Sequence, residues 1–101
     1  MAHVTLDKIR TVALPACREF SVRRLDVFGS LARGEDSASS DVDFLVEFDR
    51  PSQKAAERFF GLLHHLEDGL GCAIDLLTVN GLRNPYFRRR VLSERVCIYE
   101  G

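Results

Sequence analysis

The chain has 101 residues, enough for one domain (1–101) with a modest core, and a hydrophobic share of 46% that is ordinary for a globular protein. No apolar run approaches a membrane span, and the N-terminus lacks a basic segment followed by a long apolar one, so a soluble, cytoplasmic protein is expected. A net charge of −1 argues against stable binding of long nucleic acid, which asks for a basic surface.

Thr5 can cap a first helix, along which Leu6, Ile9, Ala13, Ala16, Cys17 and Phe20 recur at helical spacing. Pro15 interrupts the pattern and should kink this helix or split it. Leu25 to Phe28 reads as a short strand, residues 35–40 as a polar loop, and Asp41 to Phe48 as a second strand. Turn chemistry follows, with Ser52 a plausible cap for a helix from Gln53 to about Glu67. Ala55, Ala56, Phe59, Leu62, Leu63 and Leu66 form its apolar face, and Gly69 and Gly71 end it. Cys72 to Val79 reads as a third strand. Asn84-Pro85 is a cap followed by proline at the first helical position, opening a last helix to about Glu94. Val96 to Tyr99 closes the chain as a fourth strand. This order predicts an α/β (α+β) fold, a small mixed sheet of about four strands with helices packed on it and the acidic face open as a cleft. Cys17, Cys72 and Cys97 are odd in number, far apart and in apolar contexts, so buried reduced thiols are expected.

The chemistry concentrates between residues 27 and 46. Asp41 and Asp43 are two apart, so in a strand both carboxylates share a face, roughly 7 Å apart along the backbone. Val42, Phe44, Val46 and Phe48 fall on the other face, which reads as core. Two anions side by side are costly without a cation, and the natural one is Mg²⁺, which takes carboxylate oxygens and keeps positions open for phosphate. Just upstream, Gly29 lets backbone approach a ligand, and Ser30 offers a hydroxyl and an N–H to phosphate oxygens. A phosphate cradle beside a two-carboxylate metal site is equipment for phosphoryl or nucleotidyl transfer. Asp75, in Ala73-Ile74-Asp75-Leu76-Leu77, is either a solvent-facing residue of a half-exposed strand or a third carboxylate brought across from Asp41 and Asp43. Arg33 either contacts phosphate or braces its loop through Glu35 or Asp36.

Gly29-Ser30, Arg33-Gly34 and Ser40-Asp41-Val42-Asp43 together resemble the signature of the DNA polymerase β-like nucleotidyltransferase superfamily, in the local form of the minimal nucleotidyltransferase (MNT) proteins. The resemblance covers most of the chain. It implies the polymerase β-like core and makes Asp75 the third catalytic aspartate. Asp41, Asp43 and Asp75 would then hold two Mg²⁺ ions roughly 3.5–4 Å apart, with Asp75 as ligand or base. Gly29 and Ser30 would hold the β- and γ-phosphates of an NTP. MNT proteins are commonly the antitoxins of HEPN/MNT toxin–antitoxin pairs, and some transfer AMP to a tyrosine of the toxin. The resemblance therefore implies transfer of AMP from ATP to a hydroxyl of a HEPN ribonuclease partner, in a hetero-oligomer. Larger relatives add a helical domain for base and acceptor, so acceptor recognition through the partner is expected here. The alternatives are an antitoxin that blocks its toxin by binding alone, and nucleotidyl transfer to a small molecule such as an aminoglycoside.

Other motifs do not compete. No Gly-Lys-Ser/Thr follows the Gly-Ser turn, no G-x-G-x-x-G is present, and apolar residues follow Asp43 where an EF-hand needs turn residues. His64 and His65 read as surface or packing histidines. Arg88-Arg89-Arg90, near Arg83, is the one concentrated basic patch and reads mostly as a solvated helix face, with docking or help with phosphates as the lesser reading.

Overall fold

Thr5 does open the first helix: its side-chain oxygen accepts the Lys8 N–H at 3.1 Å. In the computed structural model, which describes residues 4–29, 31–32 and 41–101, α1 runs Leu6–Glu19 and β1 Val22–Phe28. Next come β2 (Val42–Phe48), α2 (Ala55–Leu70), β3 (Ile74–Thr78), a 3-10 turn (Val79–Gly81), α3 (Pro85–Glu94) and β4 (Val96–Glu100). Pro15 lies inside α1 without splitting it. The ring removes one backbone donor, but Ile9, Ala13, Ala16 and Cys17 are buried on both sides of it, and that packing carries the helix through. At the other end of the chain, Asn84 caps α3 through its side-chain oxygen, which accepts the Tyr86 and Phe87 N–H groups at 3.0 and 3.2 Å.

The four strands form one mixed sheet in the order β3-β2-β1-β4. β1 pairs antiparallel with β2 and β4, whereas β2 and β3 are parallel. A parallel pair needs a crossover, which α2 supplies. Alternation then sorts the faces. Leu25 and Val27, Val42, Phe44 and Val46, and Leu76 pack with α1 and α2. Phe28 and Leu45 point the other way and meet Leu82 and Val91, with Leu77 and Leu92 against them. The face that carries Asp43 is therefore not wholly open, because α3 covers its middle.

Asp26, on β1, is a charged residue buried to 1% exposure. The Arg24 Nε donates to both of its carboxylate oxygens at 3.0 Å, and Arg95 Nη1 reaches it at 3.5 Å. That hydrogen bond to Asp26 is also the main reason the Arg24 guanidinium holds its proton more tightly than usual. Arg95 follows α3, so the buried charge ties the end of that helix to the centre of the sheet.

The turns around α2 are held by one side chain. Ser21, Arg50 and Lys54 all adopt positive φ, at 53°, 51° and 49°, which costs non-glycine residues energy. Arg58 gathers these turns. Its Nε donates to the Phe20 carbonyl at 2.9 Å, its Nη1 to Arg50 and Gln53 at 2.9 Å, and its Nη2 to Ser21 at 2.8 Å and Asp49 at 2.6 Å. Its guanidinium also lies over the Phe48 ring, 4.7 Å from the centroid. The helix consequently starts later than Ser52 would dictate. Lys54 is the cap residue and makes no side-chain cap bond. Gly71 ends α2 in the left-handed conformation, but Gly69 lies within it, where a Cβ would overlap Val12 of α1. Of the cysteines, Cys17 is buried while Cys72 and Cys97 are half-buried, and all three are free thiols.

Arg58→Ala should lower stability by about 2–4 kcal/mol, since five carbonyls lose a charged donor and two of the strained residues, Ser21 and Arg50, lose their clamp. Arg58→Lys should recover less than half of that, because an ammonium cannot span the set; urea unfolding of the three proteins measures both. Burial pushes the Cys17 thiol up to about 12 from an ordinary 9.0. The unfolded chain would lose this proton first, so the stabilisation is whole below pH 9.0 and declines as pH rises towards about 12. Cys17→Ala should flatten that alkaline decline in a pH series of urea midpoints.

Candidate active site

The site forms where β1 ends and β2 and β3 begin. Val42 and Phe44 are buried on the α1/α2 side, so the pleat turns Asp43 to the opposite face. Leu76 does the same for Asp75. In the parallel register Asp43 stands directly beside Asp75, two residues ahead of the Leu45–Leu77 pair that lies under α3. On the other side of β2, Phe28 pairs with Asp43, which brings the following residue, Gly29, against the Asp43 carboxylate. Gly29 has φ 77°, and a methyl group there would overlap the Asp43 Oδ2. Glycine is therefore required twice, by the backbone angle and by the carboxylate.

These residues line a cleft of about 430 Å³ whose second wall is α3, contributing Phe87, Arg90, Val91 and Glu94. Arg90 Nε donates to Glu94 Oε1 at 3.2 Å, and Phe87 meets Phe28 edge-on with centroids 6.3 Å apart. A larger hollow, about 520 Å³, opens at the far ends of β2 and β3 beside the start of α2. Among its described lining residues Glu47 is the single carboxylate, so the paired acids mark the smaller cleft as the place for chemistry.

Asp43, Asp75 and Gly29 are thus brought together as the sequence suggests. Asp41 is exposed, just ahead of β2, and does not line the cleft. It lies close enough to Cys72 to add to the rise that burial imposes on that thiol, against an opposing effect of Lys8. Ser30 and Arg33, the remaining phosphate-binding candidates, lie outside the described residues, as do Gly34 and Ser40. Among the described residues no three His, Cys, Asp or Glu side chains stand together as a metal-holding group. What is assembled is a pair of hard oxygen donors on one face, with Asp41 beyond the strand end, and that donor chemistry fits Mg²⁺. His64 is exposed and His65 half-buried, both on α2. The basic patch divides: Arg88 Nη1 donates to the Val79 carbonyl at 3.1 Å, whereas Arg90 joins the cleft. Sequence reading did not single out Phe87 or Glu94 for the site. The signal available was the spacing of 87, 90, 91 and 94, which marks one stripe of a helix but not the sheet face it meets.

With that geometry in hand, the comparisons with known proteins are direct. A family model described as the nucleotidyltransferase domain matches residues 9–98, and the chain belongs to that family of enzymes. The protein adenylyltransferase MntA of Thermococcus cleftensis is 38% identical over 103 residues, covering 97% of this chain and 100% of that protein. A solved structure described as a minimal nucleotidyltransferase aligns with a TM-score of 0.78 at 33% identity, over 95% of this chain and 98% of that one. A structure of a tri-AMPylated Shewanella oneidensis HEPN toxin in complex with MNT antitoxin shares the fold at a TM-score of 0.60 and 15% identity, over 96% of this chain and 74% of that one. Among the described residues no helix is long and apolar enough to cross a membrane.

Gly29→Ala should cost about 1–2 kcal/mol from the left-handed backbone, and about 1–3 kcal/mol more from the overlap with Asp43. In an Asp43→Ala background the overlap part should vanish and the backbone part remain. A double-mutant cycle in urea separates the two, and strict additivity would contradict the placement of the carboxylate.

Proposed function

We propose that this protein transfers AMP from ATP to a tyrosine hydroxyl of a HEPN ribonuclease toxin and so neutralises it. The observation that carries the reading is the Asp43–Asp75 pair, side by side across parallel strands with Gly29 against it. Membership of the nucleotidyltransferase family supports the reaction class. The naming of the Thermococcus relative as a protein adenylyltransferase supports a protein acceptor. The AMPylated toxin bound to an MNT antitoxin in the Shewanella structure supports the kind of partner.

Asp43 and Asp75, with Asp41 at the mouth of β2, would hold Mg²⁺. Two such ions, when bound, supply neutralisation of the triphosphate and a more acidic acceptor hydroxyl. Gly29 makes room for the Asp43 carboxylate beside the turn, and Gly29, Ser30 and Arg33 are the proposed phosphate contacts. The acceptor oxygen attacks the α-phosphorus, the bond to the pyrophosphate oxygen breaks, and the hydroxyl proton passes to a carboxylate of the cleft, with Asp75 the nearest to Asp43 by register. The product tyrosine carries an AMP group, which adds bulk and negative charge to the toxin.

The test is an intact-mass spectrum of the co-purified partner after incubation with Mg²⁺ and ATP. Wild-type protein should add AMP increments. Asp43→Asn should slow their appearance by on the order of 10²–10³-fold while the complex persists. A partner whose mass stays unchanged with every common NTP would overturn transfer and leave inhibition by binding.

A further inference from the structure

The cleft poses an electrostatic problem. Asp43, Asp75 and Glu94 all line it, and a nucleoside triphosphate would bring several more negative charges. Among its described lining residues Arg90 is the one cation. Arg90 is not placed there by chance of a long side chain. Val91, the next residue, is 1% exposed and locked into the core with Phe28 and Leu45, which fixes the rotation of α3. Phe87, three residues earlier, rests edge-on against Phe28 and fixes the near end of the same stripe. The Cα of residue 90 is therefore held at the cleft rim by packing on both sides, while its side chain stays 65% exposed and accessible.

The bond to Glu94 engages Nε alone, at 3.2 Å. The two terminal nitrogens carry the planar fork that phosphate oxygens accept in pairs. Glu94, one turn further on and with its side chain 22% exposed, biases the guanidinium towards the cleft side of the helix. The neighbouring arginines are not equivalent. Arg88 is engaged with the Val79 carbonyl, and Arg89 does not line the cleft.

We propose that Arg90 is the phosphate-binding cation of the α3 wall, gripping the triphosphate of the bound nucleotide opposite Asp43 and Asp75, with Glu94 as the residue that positions it. This rests on the nucleotidyl-transfer reading above and adds to it a ligand contact from the helix, separate from the Gly29 turn.

Calorimetric titration of ATP in the presence of Mg²⁺ tests it directly, on wild type, Arg90→Ala, Arg90→Lys and Arg89→Ala, at low and raised salt. Loss of a charged hydrogen-bonding pair should weaken ATP binding about 10- to 100-fold in Arg90→Ala. It should also flatten the salt dependence of the affinity, which a change in cleft shape alone would not do. Arg90→Lys should recover part of the affinity and most of the salt dependence, and Arg89→Ala should match wild type. ATP binding by Arg90→Ala equal to wild type would overturn the assignment and leave the transfer reading standing. An equal loss in Arg89→Ala would overturn it too, as a general charge effect. Failure of the wild type to bind ATP would overturn the transfer reading, and this inference with it.

Discussion

The structure depends on the parallel register that sets Asp43 beside Asp75. Like charges in adjacent strands are unfavourable by themselves, so the arrangement is secured by the residues around them. Phe44 and Val46 are fully buried and Val42 and Leu76 nearly so, all towards α1 and α2. A slip of β2 by one residue would drive Asp43 into that core and expose Phe44. Hydrophobic alternation therefore fixes which face the carboxylates take. The crossover does the rest. α2 must return the chain across the sheet to start β3 beside β2, and its packing with α1 leaves the carboxylate face to α3 and the cleft.

The crossover helix is itself poorly started by local chemistry. It has no side-chain cap, and left-handed residues sit at Arg50 and Lys54. Arg58 resolves this by drawing on carbonyls from both the α1–β1 turn and the β2–α2 turn. Helical glycines help on the other side: Gly61 faces the Phe20 ring and Gly69 faces Val12, so α2 lies close against α1. Position, more than helix propensity, is what these residues supply.

The local rules were legible in the sequence. Thr5 and Asn84 cap as their types predict, Gly71 ends α2, and the strands fall within a few residues of their expected bounds. The D-x-D alternation identified the face that Asp43 takes; the residues alone left Asp75 open between a solvent-facing and a site residue, the resemblance singled it out, and the parallel register sets it beside Asp43. What local pattern could not supply is long-range pairing. Asp26 looked like one more strand residue, yet it is buried by Arg24 and by Arg95, which lies 69 residues away. Arg90 reads as solvated helix surface until α3 is known to cross the acidic face. Asp41 shares the alternation of Asp43 only while the strand continues, and β2 begins one residue after it.

Those long-range contacts converge on α3. Its N-terminal turn is fixed by the Asn84 cap and by Phe87 against Phe28, its middle by Val91, and its C-terminal end by Arg95 on Asp26. Apart from the local Asn84 cap, each anchor touches β1 or the core beneath it, and β1 is also the strand that delivers Gly29 to Asp43. One strand thus references both walls of the cleft: the carboxylates through its pairing with β2, and the helix through Phe28 and Asp26. A site whose opposing walls are registered to a single central strand keeps its spacing when peripheral loops change. Such preorganisation is what holding a phosphate between acidic and basic groups requires.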